Sequence, residues 1–338
     1  MFKDTVQAAL PQFQKDLGLQ VHHSNLCSEI TLATTTERTA VCCLSSVNLE
    51  EYDEWKDNEQ FIPDLVRMLD NVLEYFIDNA PDELYRARLS AERERSIGLG
   101  AMGFHAYLQR HNIPFESVLA KGANNRMFTR IKAEAVRATK LLAEERGECP
   151  DGIGSGVRNA HLLAVAPNAS SSIICGNTSP SIEPYRANAF TQKTKSGSSL
   201  LKNEYLEHAL DEIDQNTDEV WKSIITNGGS CQHLDFLDKH TKDVFKTAVE
   251  IDQRWIIEFA ADRQKYICQS QSLNVFFPAN VSKQELHAIH MMAWKQGVKT
   301  MYYLRSEALK RAETVSDEVL RAYMFDSIDE NACLACEG

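Results

Sequence analysis

Long helical periodicities separated by short apolar runs constrain this chain more than any other feature. Helical spacing recurs over 60–77, where Phe61, Leu65, Leu69, Val72 and Phe76 form one stripe, and again over 125–145, 246–266 and 282–297. Ser282 can cap the last of these helices and Gly297 can stop it. Between them lie strand candidates at 40–44, 161–166, 272–277 and 299–304. Short apolar strands flanked by helices bury both faces, so the pattern predicts an α/β fold on a largely parallel sheet. With 338 residues there is sequence enough for one large domain or two ordinary ones.

Composition narrows the function classes. An apolar fraction of 43% that excludes 15 glycines is that of an ordinary globular protein. The longest apolar stretches, 161–166 and 255–257, are far too short to span a bilayer, and the first residues lack the basic and apolar blocks of a signal peptide. A cytoplasmic protein without a membrane partner is expected. A formal net charge of -12 argues against nucleic-acid binding, which needs a basic face, so an anionic ligand must be held by local donors. Nine cysteines are too sparse for a secreted disulfide scaffold and read as cytosolic thiols, some of them redox-active.

Several motifs carry chemistry. In Asn25-Leu26-Cys27-Ser28-Glu29 an amide, a thiol and a carboxylate recur at every second residue, which in an extended segment points all three the same way. Cys27 could then do radical or nucleophilic chemistry beside a base, Glu29, and a neutral donor and acceptor, Asn25. The plainer alternative is a buried cysteine in a half-exposed strand. Cys42 and Cys43 lie on an apolar strand, either as small buried residues or as half of a redox pair. Pro167-Asn168-Ala169-Ser170-Ser171 follows a strand and opens an apolar run, where backbone N–H groups and hydroxyls could hold phosphate or simply cap a helix. Tyr302 and Tyr303 suit strand packing or proton-coupled electron transfer. From 311 the pattern weakens, with one more helix at 317–324 and a mobile tail over 326–338. No other Cys or His stands near Cys333-x-x-Cys336, so a shuttle dithiol fits better than zinc, and no metal site is expected.

In order along the chain, NLCSEI, CCLSSVNL, RSIGLGAMGF, APNASSS with SPSIEP, QSQSLN, TMYYLR and the terminal CLACEG resemble the large, catalytic subunit of class I ribonucleotide reductases. The resemblance covers 21–338 and implies the C-terminal half of a ten-stranded α/β barrel, with the NLC loop threaded through its centre. The expected division is a lead-in over 1–20, the barrel half over 21–310 and a redox-shuttle tail over 311–338. Members of the family are about twice as long, so the N-terminal regulatory domain, the effector site and the strand bearing the partner of Cys42 are missing. Because Met1 stands well upstream of NLC, an independently started, split-gene polypeptide of phage-like origin is expected.

Residue by residue, the resemblance implies that Cys27 becomes a thiyl radical, Glu29 serves as base for the 3′ hydroxyl, and Asn25 orients it. Matching Leu44-Ser45-x-x-Asn48-Leu49 selects Cys42, not Cys43, as the reducing thiol. Tyr302 and Tyr303 would relay the radical, Pro167, Asn168, Ala169, Ser170 and Ser171 would hold the substrate diphosphate, and Cys333 and Cys336 would reduce the active-site disulfide. Implied partners are the N-terminal half, a small radical-generating subunit, thioredoxin or glutaredoxin, and ribonucleoside diphosphates. No cofactor is expected in this chain, which would depend on the metal-linked tyrosyl-type radical of the small subunit. The competing readings are a cobalamin-dependent reductase fragment, a glycyl-radical enzyme, and a noncatalytic relic that only assembles.

Overall fold

Helix-flanked apolar segments come together as a run of parallel strands with helices packed behind them. The computed structural model describes residues 1–194, 197–278 and 280–306. In chain order these form α1 (Lys3–Ala8), α2 (Gln12–Asp16), β1 (Cys43–Asn48), α3 (Tyr52–Trp55), α4 (Phe61–Asn79), α5 (Tyr85–Glu94), β2 (Ile97–Met102), α6 (Phe104–Arg110) and α7 (Val118–Arg146). There follow α8 (Ala169–Ile174), the hairpin of β3 (Ala189–Thr194) and β4 (Gly197–Lys202), α9 (Glu204–Asp211), α10 (Asp218–Thr226), α11 (Lys239–Val244), α12 (Gln253–Gln264), β5 (Val275–Phe277), α13 (Lys283–Lys295) and β6 (Leu304–Ser306).

β1 pairs in parallel with β2, Leu44 opposite Gly98 and Val47 opposite Ala101. Single parallel bridges carry the ladder onward, from Leu99 to Leu163 and from Val165 to Gln271, and β5 pairs in parallel with β6. The expected strand at 161–166 is therefore held on both sides, by Leu99 N–H to Leu162 O at 2.8 Å and Val165 N–H to Ser270 O at 3.0 Å, without a regular ladder of its own. The other strand expectations shift in register: 40–44 becomes β1, 272–277 is regular only over β5, and 299–304 becomes β6. The polar residues between 269 and 274 spend their hydrogen bonds on side chains and on the loop around Cys27, which interrupts regular pairing there.

Helix boundaries follow their caps. Ser117 accepts the Ala120 N–H and starts α7 earlier than 125, whereas Asp252 accepts the Arg254 N–H and starts α12 later than 246. Ser282 caps α13 as expected, accepting the Glu285 N–H. In α4 the buried face is Ile62, Val66, Leu69 and Leu73, while Val72 is 48% exposed, so the expected stripe is rotated by about one position. β2 lies outside the strand candidates at 40–44, 161–166, 272–277 and 299–304, and its two glycines, Gly98 and Gly100, weaken the local strand signal. Both are demanded by close approach: a Cβ on Gly98 would lie 2.5 Å from Leu44 Cδ2, and one on Gly100 2.5 Å from the Ala164 carbonyl oxygen.

One large core joins the strands to α4, α6, α7 and α12, with Leu49, Val66, Leu73, Phe104 and Leu163 essentially sealed from solvent. Each such side chain contributes roughly 1.5–3 kcal/mol by burial. A second, smaller core gathers Leu206, Leu210, Trp221, Ile224 and Phe245 under the β3–β4 hairpin side of the chain. Asn203 ties the two by donating to Gln109 Oε1 of α6 at 2.8 Å. The first residues pack against the last described ones, with Phe2 N–H bonded to Lys299 O at 2.8 Å and Trp294 Nε1 to Asp4 Oδ2 at 2.9 Å. Among the described residues no helix is long and apolar enough to cross a membrane.

Candidate active site

The segment around Cys27 is a tight loop, not the extended run that the alternation of Asn25, Cys27 and Glu29 suggests. Ser28 sits at φ +67°, its N–H bonds to Asn25 O at 3.2 Å, and Asn25 Oδ1 accepts the Ile30 N–H at 3.1 Å. A short amide side chain closing a loop on the backbone explains the departure. Asn25 and Leu26 stay exposed at the tip, while Cys27 and Glu29 are buried, 4% and 2% exposed.

What buries them is the polar strand segment at 269–274. Ser270 N–H donates to Glu29 O at 2.9 Å, and Ser272 Oγ lies 2.5 Å from Cys27 O and 2.9 Å from Glu29 Oε2. A hydroxyl has one proton, so Ser272 donates it to one of these acceptor oxygens or shares it between the two. Glu29 is thereby fixed beside the Cys27 loop by the Ser272 hydroxyl.

On the other side of Cys27 stands the tyrosine pair. Cys27 Sγ is 3.6 Å from Tyr302 Oη, and the Tyr302 and Tyr303 rings stack with centroids 3.8 Å apart at 31°. Both are pinned by their backbones, Tyr302 N–H to Leu273 O at 2.8 Å and Tyr303 N–H to Asn274 Oδ1 at 2.9 Å. Burial, the Tyr303 phenol and the Cys27 thiol all push the Tyr302 phenol well above its usual range, so it keeps its proton as a neutral residue. The Arg305 guanidinium covers the Tyr303 face at 4.9 Å.

Cys42 and Cys43 part company. Cys42 packs with Ile30, Leu32 and Ala164 on the side of the Cys27 loop, while Cys43 joins the large helix-side core. Gln269 bridges Cys42 to the loop strand: its Nε2 donates to Cys42 Sγ at 3.3 Å and its Oε1 accepts from Thr31 N–H at 3.4 Å. Burial drives the Cys42 thiol far upward, only partly offset by Gln269, so it is held as a thiol. Gly98 makes room for it, since a Cβ there would lie 3.0 Å from the sulfur.

Pro167, Asn168, Ala169, Ser170 and Ser171 are half-buried at the start of α8. Asn168 takes φ +52° and gives the first turn no side-chain cap, leaving the helix-start N–H groups uncapped by it. Ser46 of β1 donates to Asn168 Oδ1 at 3.0 Å, and Asn168 Nδ2 donates to Ser171 Oγ at 3.3 Å, which ties this turn to the strand that follows Cys42. Cys333 and Cys336 lie outside the described residues. Among the described residues no group of three His, Cys, Asp or Glu side chains is arranged to hold a metal ion.

Sequence reasoning gave no role to Gln269, Ser272 and Asn274, whose signal was the polar run QSQSLN leading into the strand candidate at 272–277. Nor did it single out Glu183 of SPSIEP, which is 4% exposed with Oε1 lacking a hydrogen-bond partner among the described residues. Burial pushes its carboxyl up to about 7, against the pull of Arg186 and Arg305.

Comparison with known proteins gives a consistent answer. The family model described as the ribonucleotide reductase barrel domain matches residues 1–152 and 150–304. The ribonucleoside-diphosphate reductase large subunit of Invertebrate iridescent virus 3 is 49% identical over 338 residues, covering 99% of this chain and 53% of the relative. That of Invertebrate iridescent virus 6 is 51% identical over 310 residues, covering 90% of this chain and 32% of the relative. Among solved structures, the Actinobacillus ureae class Id ribonucleotide reductase alpha subunit superposes with a TM-score of 0.85 at 40% identity, covering 90% of this chain and 57% of that one. The chain spans about half the length of the first of these relatives, and the expected α/β barrel half is borne out. Matched by that family model over nearly all of its described residues and by relatives about half identical to it, the chain belongs to the ribonucleotide reductase large-subunit family.

Proposed function

We propose that this chain is the catalytic half of a class I ribonucleoside-diphosphate reductase large subunit, making deoxyribonucleotides by thiyl-radical chemistry. The observation that carries the reading is the contact of Cys27 Sγ with Tyr302 Oη at 3.6 Å, backed by the stacked Tyr303. A radical from the metal-bearing small subunit passes to Tyr303, then Tyr302, and a hydrogen atom moves from the Cys27 thiol to the Tyr302 phenoxyl. The thiyl then takes the 3′ hydrogen of the ribose while Glu29 accepts the 3′ hydroxyl proton and Asn25 orients the sugar. The 2′ hydroxyl leaves as water, and at the end of the cycle Cys27 returns the hydrogen atom to C3′, Glu29 returns the 3′ hydroxyl proton, and the Cys27 thiyl recovers a hydrogen atom from Tyr302 as the radical passes back out. Cys42 and a cysteine on the other barrel half supply two electrons and two protons and become a disulfide. Cys333 and Cys336 reduce that disulfide by exchange and are recharged by thioredoxin or glutaredoxin. The α8 start, with Ser170 and Ser171, receives the diphosphate.

Activity requires the N-terminal half as well as the small subunit. β1 is hydrogen-bonded to β2 along one edge, and Leu44 on it is 41% exposed, as befits a strand awaiting a neighbour. A cobalamin-dependent reaction would have no use for phenols stacked against the thiol, and a relic that only assembles would not need them. The test is deoxynucleotide formation from this chain mixed with the N-terminal half and the small subunit. The mixture should turn over, the chain with the small subunit alone should not, and Cys27→Ser, Tyr302→Phe and Tyr303→Phe should each stop turnover while subunit binding persists. Turnover by the isolated chain would refute the split assembly, and near-normal turnover in Cys27→Ser would refute the thiyl assignment.

A further inference from the structure

Gln269 stands between the Cys27 loop and Cys42 with every polar atom of its side chain committed. It is sealed from solvent, its N–H donates to Leu163 O at 3.1 Å, and its carbonyl accepts from Gln264 Nε2 at 3.1 Å and from Lys299 Nζ at 2.8 Å. The side chain therefore starts from a fixed backbone. Its Oε1 takes the Thr31 N–H at 3.4 Å, and its Nε2 donates to Ile97 O at 3.0 Å. A backbone N–H needs an acceptor and a carbonyl needs a donor, so the amide can be turned only one way. The second hydrogen of Nε2 is then left for Cys42 Sγ at 3.3 Å.

The Cys42 sulfur is served on two sides. Its own hydrogen has the Cys43 carbonyl as acceptor at 3.8 Å, while its lone pair receives the Gln269 N–H. The resting group is thus a thiol, yet the same arrangement suits an anion better, because an N–H aimed at an acceptor strengthens as charge gathers there. The other influences oppose that charge. Burial foremost, then Cys43, Glu94 and Cys268, act against a thiolate at Cys42, and Gln269 acts for it. A buried sulfur lacks the water that would solvate its charge, and the fixed amide takes the place of one such donor.

We propose that Gln269 is the positioning residue of the reducing thiol, holding an amide donor where negative charge appears on the Cys42 sulfur when its disulfide is broken. This rests on the reading of Cys42 as one half of the reducing pair. Because Cys42 is packed against Ile30, Leu32 and Ala164, an incoming dithiol attacks the partner sulfur. A bond forms between the attacking thiolate and that sulfur, the bond to Cys42 breaks, and its electron pair leaves on the Cys42 sulfur, facing the Gln269 N–H. Cys42 then takes the proton of the dithiol's second thiol. The thiolate so formed closes the dithiol into its own disulfide and releases the partner cysteine, to which solvent returns the proton lost by the first thiol. The dithiol is oxidised by two electrons and the protein disulfide is reduced by two.

The test has two arms. In the full chain, Cys42 is alkylated with iodoacetamide between about pH 7 and pH 10, and the modified peptides are quantified by mass spectrometry. Gln269→Met, which fills the same space without the donor, should slow Cys42 modification about three- to ten-fold across that range, since the lost hydrogen bond to an anion is partly offset by the higher nucleophilicity of a more basic thiolate. The exposed Cys175 should react as before. Gln269→Glu keeps the acceptor for Thr31 but turns an oxygen on the sulfur; it should slow the reaction further, and it serves where Gln269→Met does not fold. An amide that only packed would give the opposite sign, because a loosened fold exposes the thiol. In the assembled enzyme, the deoxynucleotide formed by pre-reduced protein in its first turnover should be unchanged in amount, while steady turnover at limiting dithiothreitol should fall by a similar factor. Unchanged or faster alkylation, or undiminished steady turnover, in a folded variant would overturn the proposal, with the parent's turnover still upholding the reductase reading. Slowed alkylation where the parent assembly makes no deoxynucleotide would sink the reductase reading and leave Gln269 as the donor to Cys42.

Discussion

Ser272 Oγ meets the Cys27 carbonyl and the Glu29 carboxylate together, so its removal leaves buried acceptors unpaired. Ser272→Ala should destabilise the chain by about 1–3 kcal/mol in denaturant unfolding, and should slow turnover of the assembled enzyme by loosening Glu29. Unchanged stability and rate would mean that the loop is held well enough by Ser270 N–H to Glu29 O and by Ser28 Oγ, which donates to Met301 O at 3.4 Å. Glu183 makes a prediction of a different kind. Its folded-state value is about 7 against an ordinary 4.5, so the native state favours the protonated carboxyl. The associated stability is fully present below about pH 4.5 and is lost as pH rises through about 7, a change on the order of 3 kcal/mol. Glu183→Gln cannot ionise and should flatten that part of the stability profile, gaining on the parent above about pH 7. Parallel profiles for the two proteins would show that the carboxylate is already stabilised by Arg186 and Arg305.

Two glycines separate packing from propensity at the scale of strand and helix. Gly98→Ala sets a methyl 2.5 Å from Leu44 Cδ2, 3.0 Å from Cys42 Sγ and 3.2 Å from Ala164 Cβ, so the side chains lining β1 and β2 must shift to admit it. A loss of about 1–3 kcal/mol is expected. Gly122→Ala, in α7 with nothing within 4 Å of the new Cβ, should instead gain about 0.5–1 kcal/mol. Thermal melts of the two variants check this, and a neutral Gly98→Ala would mean that the parallel pair gives way cheaply. The same contrast marks what was legible in the sequence. α4, α7, α12 and α13 declare themselves through apolar spacing and caps such as Ser282, which are local signals. β2 does not, because its glycines answer to Leu44 and Ala164, distant in sequence. The grouping of Cys27, Glu29 and Tyr302 could be named from motifs, but the alternation argument for it fails at Ser28, whose positive φ turns the chain. Nothing local to Gln269 or Ser272 foretold that they would clamp the loop, since their partners lie over 200 residues away.

At the scale of the whole molecule, the proposed function requires electrons to reach Cys42, a half-buried thiol. Cys42 is packed among Ile30, Leu32 and Ala164 and held as a thiol by burial, which under that proposal favours a small or tethered dithiol over a whole protein as the direct reductant of its disulfide. A dithiol carried on a chain end meets that need, and Cys333 and Cys336, outside the described residues, stand at the spacing for it. The two dithiols therefore differ in the reductant they need. In the assembled complex, Cys333→Ser or Cys336→Ser should eliminate turnover driven by thioredoxin or glutaredoxin yet leave activity with dithiothreitol, which is small enough to enter the site and reduce the Cys42 disulfide itself. Cys42→Ser should lose multiple turnover with either reductant, because the internal electron donor is gone. The measurement is deoxynucleotide formed per site with each reductant. If the tail variants fail equally with dithiothreitol, Cys333 and Cys336 serve assembly or metal binding, and the route from solvent to Cys42 must run through some other group.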